Sequence, residues 1–287
     1  MTAAESPRAP RRWLITGADK GLGHSAAEAA LARGDQVVVT VLAPDPDAYA
    51  LAHRYPGRCR AIHLDARELQ RIPQAVAAAE AVFGGIDVLV NNAGYGLIGV
   101  AEEVPPEQYR PLFDVNFFAV VETIRAVLPG MRRRRSGHIV NLSSVGAFGA
   151  SPGFGFYAAT KLAVEGYSES LAKEVAPLGI HVTLLEPGGF RSDFAGPSLA
   201  TQRSRIEDYA ATMADYVGNW SASRHRKQAN DPAKFGPALC RLVDEPQPPL
   251  RLPLGRDGYA RMREHFTRLL ADIERHQDLT FSTAADD

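Results

Sequence analysis

The chain has 287 residues, 45% of them hydrophobic, with a formal net charge of −1. That length supports one large α/β domain with a full core. The balanced charge gives no ground for a nucleic-acid or acidic-membrane partner, and no apolar run reaches the length of a membrane span.

Residues 1–11 are polar and proline-rich and read as a flexible tail, without the apolar core of a secretory leader. Two cysteines without patterned spacing suit a reducing compartment, so a soluble, cytoplasmic protein is expected. The eight histidines show no ligand spacing, and no metal is expected. Trp13 to Thr16 reads as a first strand, followed at once by the glycine-rich turn Gly17-Ala-Asp19-Lys20-Gly21-Leu22-Gly23 and an alanine-rich helix ending at Gly34. Gln36 to Leu42 and Cys59 to Leu64 read as buried parallel strands. A helix over Glu68–Phe83 precedes a strand at Asp87–Val90, which runs into Asn91-Asn92-Ala93-Gly94. A long helix over Pro106–Met131 contains Asn116. The run Arg132–Arg135 falls at its C-terminal end, where positive charge complements the dipole. Gly137–Leu142 is a strand ending at Ser143-Ser144, and a helix carrying Tyr157 and Lys161 runs to Pro177.

Ile180–Leu185 is the next strand, leading into Glu186-Pro187-Gly188-Gly189. From Phe190 to Asn230 the alternation stops, with aromatics at irregular spacing (Phe190, Phe194, Tyr209, Tyr216, Trp220) and no strand signal. Asp231-Pro232 opens another helix. Leu250–Leu254 reads as a short edge strand because of Pro253. A helix over Gly258–His276 leads into a polar tail at 281–287. Strands alternating with helices predict a doubly wound parallel sheet of about seven strands with helices on both faces, the Rossmann-type arrangement.

Two features carry chemistry. The glycine turn sits between strand and helix, where backbone can approach a pyrophosphate and the helix N-terminus favours its charge. Tyr157 and Lys161 are four residues apart and share a helix face. An ammonium beside a phenol favours the phenolate, which points to proton transfer with an alcohol or carbonyl oxygen.

The set Thr16-Gly17-x-x-x-Gly21-x-Gly23, Asn91-Asn92-Ala93-Gly94, Asn116, Ser144, Tyr157-x-x-x-Lys161 and Pro187-Gly188, in this order, resembles the short-chain dehydrogenase/reductase family over residues 12–193. Within the family it is similar to steroid-dehydrogenase-like and carbonyl-reductase-like bacterial members. The resemblance implies one domain over 12–280, with 190–230 as a lid over the substrate. Tyr157 would be the general acid or base, and Lys161 would lower its pKa and hold the nicotinamide ribose. Ser144 would bond the reacting oxygen, and Asn116 would support a proton relay through Lys161. Gly17, Gly21 and Gly23 would line the pyrophosphate. Asp19, Lys20, Leu22, Leu42, Asp65, Asn91, Ala93, Gly94, Pro187 and Gly188 complete the cofactor positions. Substrate would meet Ser144, Tyr95, Phe148, Phe154 and Phe190, and the aromatics suggest a bulky apolar or aromatic ketone of steroid or polyketide type.

No acid stands at the end of the second strand, where NAD-using enzymes bind the ribose 2′-hydroxyl, so NADP(H) is favoured over NAD(H). Lys20 matches a basic position common in NADP-using relatives, although Leu42 replaces an arginine many of them carry. A homodimer or homotetramer is implied by the family. The competing functions are a non-catalytic nicotinamide-binding sensor or scaffold, against which Ser144, Tyr157 and Lys161 argue, an NAD-dependent alcohol dehydrogenase, and a sugar-nucleotide epimerase or dehydratase.

Overall fold

Unbroken apolar runs such as Val37-Val38-Val39 and Val88-Leu89-Val90 call for strands covered on both faces. The protein is described by a computed structural model over residues 9–217 and 224–285. Its strands are β1 (Arg12–Ile15), β2 (Gln36–Val41), β3 (Cys59–His63), β4 (Val88–Asn91), β5 (Gly96–Ile98), β6 (Gly137–Leu142), β7 (Ile180–Pro187), β8 (Leu199–Thr201) and β9 (Arg251–Leu254). Among the described residues, seven of them make one parallel sheet in the order β3-β2-β1-β4-β6-β7-β9. The strand order reverses between β1 and β4, which opens a crevice beyond their carboxyl ends. Pro253 lies in β9 at the sheet edge.

The helices are α1 (Gly21–Ala32), α2 (Ala50–Arg54), α3 (Ile72–Phe83), α4 (Pro106–Phe113), α5 (Ala119–Arg134), α6 (Gly155–Val175), α7 (Ala210–Val217), α8 (Phe235–Asp244), α9 (Arg256–Arg275) and α10 (Gln277–Phe281). Successive side chains of a strand face opposite ways. Trp13 and Ile15 therefore join Ala27, Leu31, Phe235 and Leu239 of α1 and α8 on one face. Leu14 joins Ile124, Val127, Val164 and Leu171 of α5 and α6 on the other. A third cluster, with Leu97, Ile98, Leu112, Phe154 and Tyr157, sits above the carboxyl ends of the sheet.

Two departures from the sequence reading matter for the site. The expected strand-free stretch contains β8, which pairs in parallel with β5. Strands of three residues are too short to carry a period-two signal. The expected helix over Pro106–Met131 is helical throughout but carries a π-turn at Asp114–Phe118. That turn brings Asn116 inward. Of the tail expected over 1–11, residues 1–8 lie outside the described residues, as do Trp220, the Tyr216 side chain and residues 286–287. The arginine run includes the last turn of α5, where Arg134 donates to the Ile86 carbonyl, while Arg135 donates to the Pro177 carbonyl at 2.5 Å.

Asp35 fixes the start of the sheet. Its fully buried carboxylate accepts from Arg11 N and Trp13 Nε1, both at 2.9 Å, and from Arg33 Nε at 2.7 Å. Burial alone would raise its pKa, but these donors together hold it below the usual carboxylate range. A depressed folded pKa stabilises the fold above the unfolded value of about 3.9 and loses that contribution as pH falls through the folded one. Asp35→Asn should cost about 1.5–3 kcal/mol, the size of hydrogen bonds to a charged group. Urea unfolding should also show that the gap to wild type narrows on acidification; an equal gap at every pH would refute the charge-based account.

Candidate active site

The glycine turn is locked to the end of β4. Thr16 Oγ1 accepts from Asn92 N at 3.0 Å and Ala93 N at 3.1 Å, and Asn92 Nδ2 donates to the carbonyls of Thr16 and Gly17 at 2.9 and 2.8 Å. Gly17 has φ +66°, and a Cβ there would lie 2.8 Å from Ala93 Cα. A Cβ on Gly23 would lie 2.5 Å from Asn92 Nδ2 and 2.6 Å from the Gly17 carbonyl. Lys20, at the N-cap of α1, makes no side-chain capping bond, so the helix N–H groups face the cavity uncapped by it. A backbone cradle of this kind fits the pyrophosphate of a dinucleotide. Gly17, Asp19, Lys20, Gly21 and Leu22 line a cavity of about 1010 Å³, whereas Gly23 lies behind it and packs the turn.

Tyr157 and Lys161 project from α6 into the same cavity and are both buried. Lys161 Nζ lies 5.9 Å from the centre of the Tyr157 ring and donates to the Leu142 carbonyl at 2.7 Å. Burial pushes the Tyr157 phenol up to about 12, against the Ser144 hydroxyl, which acts to lower it. Burial also brings the Lys161 ammonium down to about 8, with Glu165 opposing. The expected fall in the Tyr157 pKa is therefore reversed among the protein's own groups, because desolvation outweighs the Ser144 hydrogen bond. Ser144 Oγ accepts from Gly146 N at 3.0 Å and faces Tyr157, while the Ser143 side chain is buried. Asn116 lies behind the cavity wall. Its Nδ2 donates to the Tyr95 carbonyl at 3.0 Å and Thr160 Oγ1 at 3.1 Å, and its Oδ1 accepts from Tyr95 N at 3.1 Å. Asn91 is tied to Asn141 at 2.8 Å, and Asn141 to Ser168 of α6 at 2.8 Å, a polar line beneath the site.

At the far end of the cavity, β2 itself ends without an acid, but the place does not lack one. The Asp19 carboxylate reaches across from the glycine turn and accepts from Leu42 N at 3.0 Å and Ala43 N at 3.1 Å. Lys20 Nζ lies 3.5 Å from Asp193. Arg67 binds Asp65 through two nitrogens, and its guanidinium holds that carboxyl below the usual range. Leu42 and Asp65 line the cavity there.

Tyr95, Phe154 and Phe190, expected to meet substrate, line the cavity, as do the expected cofactor positions Pro187 and Gly188. Phe148 does not: its ring turns to α9, 5.2 Å from Phe266 and 5.9 Å from His265. The apolar face of α9 offers it a partner that the cavity does not. Phe194 lines the cavity 5.4 Å from the Tyr157 ring. Asp257 and Arg261 escaped the sequence reading, and Asn92 has no role of its own in it. Asp257 accepts from Gly189 N at 2.7 Å and Asn230 Nδ2 at 2.6 Å, and with Arg261 it lines the cavity. Nothing local to Asp257 marks it, whereas Asn92 stood inside a recognised motif.

A family model described as short chain dehydrogenase matches residues 11–203. The chain is 35% identical to Oxidoreductase BOA17 of Botryotinia fuckeliana, over 95% of this chain and 98% of that protein. It is 36% identical to 3-ketodihydrosphingosine reductase of Bacteroides thetaiotaomicron, over 86% and 88% respectively. A short-chain dehydrogenase from Streptomyces avermitilis superposes with a TM-score of 0.88 at 38% identity, covering 96% of this chain and 99% of that one. With its reversed-order parallel sheet and glycine cradle, the chain belongs to the short-chain dehydrogenase family and is a nicotinamide-dependent oxidoreductase.

Proposed function

We propose that the protein reduces a bulky apolar or aromatic ketone to a secondary alcohol, with Tyr157 as the general acid. The observation that carries this reading is the buried Tyr157 phenol, with Ser144 beside it and Lys161 one turn along α6, in the cavity that holds the glycine cradle. The nicotinamide cofactor supplies the hydride when bound. Gly17, Gly21 and the N-terminus of α1 would hold its pyrophosphate, and Pro187 and Gly188 would flank its nicotinamide. Ser144 Oγ orients the carbonyl oxygen and stabilises the charge that gathers on it. Tyr157 Oη delivers the proton to that oxygen. A phenol near 12 holds its proton at neutral pH, which suits a donor. Lys161, still mostly charged at neutral pH with its pKa near 8, offsets the phenolate left behind. Phe154, Phe190 and Phe194 give the cavity an apolar wall, which supports an apolar substrate. The similar 3-ketodihydrosphingosine reductase is named for the reduction of a keto compound, which supports a ketone as substrate. Residues 12–280 act as one unit, with the described part of 190–230 covering the substrate.

A carbonyl panel of steroid, aromatic and long-chain ketones, followed by loss of reduced-cofactor absorbance, tests this. Turnover should favour bulky ketones over small ones. Cofactor binding without turnover on any of them would refute the reading.

A further inference from the structure

We propose that Asp19 recognises the adenosine ribose hydroxyls and makes the protein prefer NAD(H) to NADP(H); this rests on the dinucleotide reading of the cavity. An acid at the end of the second strand ordinarily comes from that strand and accepts from the ribose 2′-hydroxyl. Here Leu42 and Ala43 occupy that end, and the acid arrives from the glycine turn instead. The two backbone N–H groups hold the carboxylate in place. Oδ1 accepts from both, whereas Oδ2 accepts from Leu42 alone. A carboxylate oxygen has further lone pairs, so Oδ2 can take a hydroxyl proton. Asp19 is exposed and lines the cavity, so it is open to a ligand.

The same arrangement disfavours a 2′-phosphate in three ways. A phosphate carries negative charge and would meet the Asp19 carboxylate. The Leu42 and Ala43 N–H groups, which could donate to it, are already engaged by Asp19. The neighbouring cations are engaged too, Lys20 with Asp193 and Arg67 with Asp65. Leu42, 59% exposed at the end of β2, adds no charge of its own.

Calorimetric titration of the purified chain with NADH and with NADPH tests the assignment without any substrate. NADH should bind at least ~tenfold more tightly, the scale of one charge contact near a protein surface. Asp19→Asn keeps an oxygen acceptor for the Leu42 and Ala43 N–H groups, and it should shrink that ratio about tenfold. Leu42→Arg leaves Asp19 in place and should raise NADPH affinity by a comparable factor. Tighter binding of NADPH by wild type, or an unchanged ratio in Asp19→Asn with wild-type melting, would overturn the role of Asp19 alone. If wild type binds neither cofactor, the dinucleotide reading falls and the inference with it.

Discussion

Tyr157→Phe should lower kcat by about 10²–10⁴-fold, the contribution of a positioned general acid, while cofactor affinity and melting temperature stay near wild type. The substitution removes one oxygen and nothing else. The ring keeps its place against Phe154 and Phe194, at 6.2 and 5.4 Å between centroids. The α6 backbone and the Lys161 bond to Leu142 do not depend on the hydroxyl. Only the proton source is lost, because Ser144 has an ordinary alcohol that orients rather than titrates. Single-turnover kinetics with a bulky ketone would separate the chemical step from product release. A fall below tenfold would mean that another group supplies the proton. Equal losses of kcat and cofactor affinity would mean that the ring had moved.

Gly23→Val should weaken cofactor binding by about 10–100-fold and destabilise the chain by about 1–3 kcal/mol, the range for overpacking a filled site. The obstacle is backbone and a locked amide. Asn92 Nδ2 sits 2.5 Å from the position of the new Cβ while donating to Thr16 and Gly17. If Asn92 yields, the turn loses both bonds. If it stays, α1 must withdraw from the sheet and carry its N-terminus away from the pyrophosphate. Both outcomes damage the cradle. Thermal melting and cofactor titration together would show it. Wild-type affinity in the folded variant would mean that the turn is not where the phosphates sit.

What the sequence made legible is what local periodicity encodes. Unbroken runs such as Val37-Val38-Val39 call for a strand covered on both faces, and β2 is one. Tyr157 and Lys161 share a helix face because a helix turns in 3.6 residues, so their common position needed no tertiary knowledge. Other features depend on what a side chain meets after folding. Asp19 sits in a turn whose sequence says nothing of Leu42, and only the packing of β1 beside β2 brings the two together. Phe148 could have faced the cavity on spacing alone, but α9 offered it a closer apolar partner. Asn116, in the π-turn, satisfies the Tyr95 backbone, a partner supplied by a distant loop.

The cavity wall supplied by Asp257 and Arg261 has an evolutionary consequence. Both residues lie beyond the stretch that matches the family, residues 11–203. Asp257 clamps the loop after β7 through Gly189, and Arg261 holds Gly149 beside the catalytic strand end. The cavity is thus lined both from within the family-matched stretch, by Tyr95, Phe154, Phe190 and Phe194, and from beyond it. Drift in the C-terminal helix can reshape what enters while Tyr157, Lys161 and the glycine cradle stay untouched. Two proteins sharing every motif up to residue 203 can therefore differ in the part of the cavity wall that Asp257 and Arg261 supply.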